Sequence, residues 1–159
     1  MPILLAGLLK ATGIKDNVDI PIKGRYMIKD CKLWAEKHNI TFKFNNYFPI
    51  NTLYLMRCVI VAEKKNFAQN FINKVFDVIW KDGLNLNDNA IVEKLLKNLD
   101  INPKIFLMEA VDPKIKDELK NRTDAAYNKG IFGVPSFIVN NKIFWGQDRL
   151  EFVMNEAQK

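Results

Sequence analysis

The sequence has one histidine and two cysteines in 159 residues, and those scarcities narrow its chemistry. His38 falls at the end of a helical segment with no partner in the pattern, so neither a histidine-based triad nor a histidine metal site is expected. Cys31 and Cys58 are far apart, each inside an apolar helical pattern, with no C-x-x-C between them. That spacing excludes a cysteine zinc site and dithiol redox chemistry in these residues. Both read as core side chains. No run of about 18 apolar residues exists, so no transmembrane helix and no membrane partner are expected. The apolar start from Met1 to Leu9 is short and has no charged lead, which makes it a poor signal peptide and the cytoplasm the default location. Neither an internal repeat nor a low-complexity segment is present. The net charge is +6, but the lysines are scattered among acids along helices. Nucleic-acid recognition wants a basic stripe with exposed aromatics, so no such role is expected. A basic balance favours small acidic ligands instead.

What is present is one domain's worth of chain, 48% hydrophobic and 26% charged, enough to bury a core. The segment Gly130-Ile131-Phe132-Gly133-Val134-Pro135-Ser136-Phe137-Ile138-Val139 organises the rest. A helical segment stops at a glycine, and a proline then opens a β-branched and aromatic run. Proline lacks an N–H and fixes φ, so within a sheet it fits the first residue of a strand. An X-Pro bond adopts cis at modest cost. A cis bond there would turn the Val134 backbone outward, leaving its N–H and C=O free for an extended ligand. Asn140-Asn141 then separates that run from Lys142–Gly146, the pattern of a β-hairpin, and Gln147–Leu150 opens a last helix.

Upstream, Pro2–Leu9 reads as the tail of a strand running into a short helix, and Thr12–Asp19 as a polar loop. Met27, Cys31 and Trp34 recur at helical spacing, which predicts an amphipathic helix from Lys23 to about His38. Thr41–Phe44 is a short extended piece. Asn51 or Thr52 can cap a helix that buries Leu55, Met56, Val59, Ile60 and Ala62. Asn66 is read as the cap of the next, whose stripe is Phe67, Phe71, Val75, Val78 and Ile79, and Gly83 as its left-handed stop. Asn87 begins a further helix through Leu99. Asn102-Pro103 and Asp112-Pro113 each place a capping side chain before a first-turn proline. The second starts a long helix stopped at Gly130. The count is six or seven helices and one hairpin. A two-stranded hairpin is marginal alone, and its apolar runs lack clean alternation, which suggests burial on both faces in a larger sheet.

Gly133-Val134-Pro135-Ser136-Phe137 and Trp145-Gly146-Gln147-Asp148-Arg149-Leu150 resemble the C-terminal part of the 2-hydroxychromene-2-carboxylate isomerases. These are DsbA-like members of the thioredoxin superfamily, close to kappa-class glutathione transferases. Leu8–Gly13 looks like that family's loop after its second strand, and Pro21–Met27 like the start of its first inserted helix. Phe48-Pro49-Ile50-Asn51-Thr52 with Arg57 beyond, and Val78–Gly83, also match, in the right order along the whole chain. The resemblance implies an α/β, thioredoxin-like fold with a large helical insertion. Residues 1–20 would be thioredoxin remnant and loop, 21–129 the helical insertion, and 130–159 the thioredoxin-like hairpin and last helix. Lacking the family's N-terminal strand, helix and strand, about forty residues, the chain is expected to be mostly helical with a C-terminal hairpin.

By the same resemblance the function is a glutathione-dependent cis–trans isomerisation of an aromatic ring-opened acid. A kappa-like transferase, a DsbA-like thiol–disulfide oxidoreductase and a non-catalytic remnant that binds glutathione or a protein partner are the alternatives. The family's thiol-contacting serine has no counterpart here. Ser136, the one serine in the chain, follows the proline and does not stand for it, so the catalytic residue is unassigned. Glutathione would meet the Val134 backbone before Pro135 by strand-like pairing, and Gln147 and Asp148 at its γ-glutamyl end, while Lys23 would meet its glycyl carboxylate or the substrate acid. Arg25, Asn51 and Trp80 are the substrate candidates. Read without the resemblance, Asp148 is a helix cap, Lys23 a solvated lysine, Asn51 a cap and Trp80 a core aromatic. Ile14 stands where the family often has a glutathione-binding Asn, which lowers the implied affinity. The partners implied are a small aromatic carboxylate and, through the apolar hairpin, a second copy in a homodimer.

Overall fold

The computed structural model describes residues 1–159. Its helices are α1 (Leu5–Thr12), α2 (Pro21–Lys37), α3 (Leu53–Lys64), α4 (Ala68–Trp80), α5 (Asn89–Lys97), α6 (Pro103–Ala110), α7 (Pro113–Asn128) and α8 (Leu150–Ala157). The strands β1 (Ser136–Val139) and β2 (Lys142–Trp145) sit between α7 and α8, and short 3-10 turns cover Asn17–Asp19 and Gln147–Arg149. There are eight α-helices, one or two more than the sequence suggested. The fold is dominated by helices, with an antiparallel two-stranded sheet near its C-terminus, the layout expected from the sequence.

The core lies among α3, α4, α5, α6 and α7. Eighteen buried residues form one cluster, including Leu55, Ile60, Phe71, Leu96 and Phe106. α3 runs through the middle, packed on α4, α6 and α7. Phe67, Phe71 and Phe106 meet with ring centroids 5.6–6.5 Å apart, an arrangement in which ring edges face neighbouring π-clouds. A second, small cluster joins Leu8 of α1 to Ala126 of α7 and Ile131. The Leu4 N–H donates to the Thr123 hydroxyl at 3.0 Å, tying the entry of α1 to α7.

Helix starts follow the sequence closely. Asn102 and Asp112 accept from Ile105 N–H and Lys114 N–H, each just before a first-turn proline. Asn51 accepts from Leu53 N–H at the start of α3, while Thr52 makes no side-chain cap. The cap of α5 is Asp88, one residue beyond Asn87. Asn87 instead accepts from the Asn51 N–H.

Helix ends were less visible in the sequence. α1, α2, α3, α5 and α7 all stop at a residue with positive φ: Gly13, Asn39, Asn66, Asp100 and Gly130. In each case the next N–H reaches back to a carbonyl five residues earlier, as Ile40 does to Ala35 and Phe67 to Ala62. This left-handed closure satisfies orphan carbonyls, and Asn and Asp tolerate it better than most non-glycine residues. Asn66 therefore closes α3 rather than opening α4, whose first flanking residue is Phe67.

Two other expectations change. The short helix expected after Pro2 forms as Leu5–Thr12, extending through the Leu8–Gly13 stretch read as a loop, and no strand precedes it. Leu, Ala and Lys are good helix formers, and Leu8 is fully buried. The helix through Met27, Cys31 and Trp34 forms as Pro21–Lys37, but those three side chains are only half-buried, and α2 contributes no residue to the core. It packs chiefly on the Asn17–Asp19 turn. The Thr41–Phe44 segment carries no strand pairing. It is held by the Lys43 N–H donating to the Trp80 carbonyl.

A candidate functional site at the hairpin

The turn Asn140-Asn141 has both residues at positive φ, 48° and 61°. That is the backbone a tight two-residue hairpin requires. The register pairs Ser136 with Trp145 and Val139 with Lys142. The Gly146 N–H donates to the Pro135 carbonyl at 3.0 Å, extending the pairing past β2 and holding residues 146–148 beside the start of β1.

The Val134-Pro135 bond is cis, as read from the sequence, and so is Phe48-Pro49, which was not foreseen. Val134 is 43% exposed, and neither its N–H nor its C=O is used in a backbone hydrogen bond. It therefore presents a donor and an acceptor to an extended peptide. The floor of this shelf is built from Gly133 and Trp145. Gly133 is buried with the indole against it, and Phe132 meets the Trp145 ring edge-on at 5.1 Å. Ser136 donates its hydroxyl to the Gly133 carbonyl at 2.6 Å. That hydroxyl is engaged in closing the turn.

Gln147 and Asp148 follow directly and are both exposed. Asp148 caps nothing: α8 has no side-chain cap. Its carboxylate instead pairs with the neighbouring Arg149 guanidinium at 2.7 Å. Gly146 must be glycine, because φ is +106° and a Cβ would strike the Asp148 carboxylate. The hairpin is fixed to α8 by Glu156, which is 7% exposed. Its carboxylate accepts from Lys142 and Lys159 at 2.9 Å, and its backbone carbonyl accepts from Asn140 at 3.0 Å. The hydrogen bond from Lys142, then that from Lys159, pull its pKa down to about 2. Nothing in the sequence pattern singled out Glu156, whose hairpin partners Lys142 and Asn140 lie 14 and 16 residues away.

Val134, Pro135, Gln147 and Asp148 are thus gathered at one end of the hairpin. The other candidates sit on separate elements. Lys23 and Arg25 are exposed on the first turns of α2. Asn51 is spent as the α3 cap. Trp80 ends α4 and packs with Phe42, Phe44 and Phe48 at centroid distances of 5.7–6.1 Å. The two thiols are unpaired. Burial pushes Cys58 up to about 12 and raises Cys31 as well, so both stay protonated and neither offers a thiolate at neutral pH. His38 stacks on Trp34. No cluster of acidic, histidine and cysteine side chains could hold a metal, and no helix is long and apolar enough to cross a membrane.

The chain is similar to a 2-hydroxychromene-2-carboxylate isomerase of Sphingobium xenophagum, 25% identical over 138 residues, which covers 86% of this chain and 69% of that relative. It is 24% identical over 166 aligned positions to human glutathione S-transferase kappa 1, covering 96% of this chain and 74% of that one. A solved structure of a 2-hydroxychromene-2-carboxylate isomerase superposes with a TM-score of 0.86 at 22% identity, over 96% of this chain and 75% of the other, a likeness of fold. The model of the DSBA-like thioredoxin domain matches residues 1–158, and the chain belongs to that family.

Proposed function

We propose that this chain is a glutathione-dependent cis–trans isomerase acting on an aromatic ring-opened acid of the 2-hydroxychromene-2-carboxylate type. The observation that carries the reading is the exposed Val134 with its unused N–H and C=O, set beside the exposed carboxylate of Asp148. An extended tripeptide fits that arrangement. The cysteinyl unit pairs with the Val134 backbone as an added strand would. The γ-glutamyl ammonium meets Asp148, which exchanges Arg149 for it. Gln147 and the amides of the Gln147–Arg149 turn face the γ-glutamyl carboxylate, and Lys23 takes the glycyl carboxylate. Relatives named glutathione S-transferase kappa 1 support that ligand, and relatives named 2-hydroxychromene-2-carboxylate isomerase support the reaction.

Glutathione bound there supplies a thiolate for reversible addition to a conjugated carbon, which frees the former double bond to rotate. The chain's own contribution is to hold the tripeptide and the acid in register, turning a bimolecular encounter into a nearly unimolecular step. Arg25 orients the substrate carboxylate, and Asn51 and Trp80 border its ring. Ser136 is bonded to Gly133 and both cysteines are protonated, so none of these three takes the thiol-contacting role. We place the protein in the cytoplasm, as a homodimer. Ile138, Ile143, Trp145, Phe152 and Met154, each 39–58% exposed on the hairpin and α8, are the face a second copy covers. The kappa-like relatives favour a second reading, a transferase built on the same shelf.

The test is glutathione titration followed by isomerisation of a ring-opened chromene acid, read by absorbance, alongside conjugation of an aryl halide. Saturable glutathione binding that weakens in Asp148→Asn, with isomerisation exceeding conjugation, supports the proposal. Conjugation without isomerisation turns it to the transferase. Unchanged glutathione affinity in Asp148→Asn, or no binding, overturns the shelf. Sedimentation as a monomer at high concentration overturns the dimer.

A further inference from the structure

Arg57 lies on α3, six residues beyond the Asn51 cap, and the function proposed above gives it no role. Its Nε is buried and has no hydrogen-bond partner, and none of the ion pairs in the structure includes it. A charged donor shut away from water without an acceptor is unfavourable. Arg57 borders a cleft of about 350 Å³ between α1, α3 and α7. The cleft has two kinds of wall. Leu4, Leu53 and Leu119 give it an apolar side, and Lys116 and Lys120 stand at its rim. Lys120 is already paired with Asp124 at 3.3 Å, which leaves Arg57 and Lys116 as its unpaired cations. A volume near the lower end of ordinary ligand pockets suits a small molecule.

We infer that this cleft binds a small organic monocarboxylate, its carboxylate on the Arg57 guanidinium and Lys116 and its apolar body against Leu4, Leu53 and Leu119. The planar guanidinium matches a carboxylate in two parallel bonds. Asp117 and Asp124 also line the cleft. Asp124 is spent on Lys120, but the charge of Asp117 disfavours phosphate and other dianions, which is why a singly charged acid with an apolar tail is the better fit. The cleft shares no residue with the Val134–Asp148 shelf, so the inference stands apart from the proposed function.

Hexanoate titrated into the full chain at constant ionic strength tests this, followed by methyl NMR and calorimetry. Saturable 1:1 binding is expected, with shifts at the Leu4, Leu53 and Leu119 methyls rather than at Ile138 and Ile143. Hexanamide and inorganic phosphate should each bind about tenfold more weakly or worse, as should hexanoate to Arg57→Met, because a charge-assisted bond is lost. Lys116→Gln weakens hexanoate binding and Asp117→Asn strengthens it, and both are exposed positions that leave the fold intact should Arg57→Met fail to fold. Equal affinity for hexanoate and hexanamide, shifts confined to the hairpin, or indifference to both the Lys116 and Asp117 changes would overturn the assignment. Absence of hexanoate saturation, with a strong Arg57–Asp117 coupling in a double-mutant cycle, would show that Arg57 is satisfied from within the protein.

Discussion

The indole Nε1 of Trp145 lies 2.6 Å from the point where a Cβ on Gly133 would stand. No real Cβ tolerates such an approach, so the aromatic floor of the shelf exists because residue 133 has no side chain. Gly133→Ala should force Trp145 off its position at about 1–3 kcal/mol, the usual range for overpacking. Near-UV circular dichroism should change while the far-UV spectrum stays, and glutathione affinity should fall with it. An unchanged near-UV spectrum would mean the indole is not seated there.

Glu156 makes the hairpin-to-helix attachment sensitive to acid. Its folded pKa, about 2, is below the ordinary 4.5. The group therefore contributes stability that is fully present above pH 4.5 and is lost as pH falls through 2. The urea midpoint of Glu156→Gln should lie below that of the parent chain at pH 7, and the gap should narrow from pH 4.5 downward. A gap constant across that window would assign the effect to packing rather than charge.

Asn45 is fully buried and serves three backbone groups. Its amide donates to the Ile79 carbonyl at 3.0 Å and the Leu84 carbonyl at 2.8 Å, and its oxygen accepts from the Tyr47 N–H at 2.8 Å. Asn45→Ala leaves these unpaired and should cost about 2–4 kcal/mol. Denaturant unfolding followed by Trp80 fluorescence measures it, since Trp80 ends the helix whose carbonyl is lost. A cost below 1 kcal/mol would mean that water replaces the side chain.

The cysteines should differ in reactivity. Cys58 is fully buried and held protonated up to about 12, whereas Cys31 is half-buried with a smaller upward shift. A thiol-reactive dye at neutral pH should label Cys31 slowly and Cys58 only on unfolding, giving one equivalent from the native chain and two from the denatured one. Fast labelling of either would contradict the burial.

The sequence resolved those parts of the fold that are encoded over short distances. Asp112 and Asn102 announce their helices because cap and first-turn proline are adjacent, and Asn140-Asn141 announces the hairpin because a tight turn needs two residues that accept positive φ. Asn66 misled because the same side chain suits a helix start and a left-handed helix end, and only the Phe67-to-Ala62 bond distinguishes them. Asn45, Glu156 and Arg57 carry long-range contacts or the lack of them, which no local pattern displays. In the shelf, the cis Pro135 was legible from its strand-opening position. The Arg149 pairing of Asp148 was not, since a neighbouring charge and a cap look alike in sequence.

The half-submerged setting of α2 has a consequence in time rather than in space. Seventeen residues, about 25 Å of helix, rest mainly on one short turn, with Ile22, Tyr26 and Leu33 each at least 60% exposed. Opening such a helix uncovers little apolar surface, so it should unfold locally at far less free energy than α3 or α4. Amide hydrogen exchange would then run on two clocks, with α2 exchanging well ahead of the Phe71–Phe106 core. Lys23 and Arg25 ride on the faster one. A ligand that engages them must first still the helix, and exchange in α2 should slow on saturation with glutathione while the core's rate does not move.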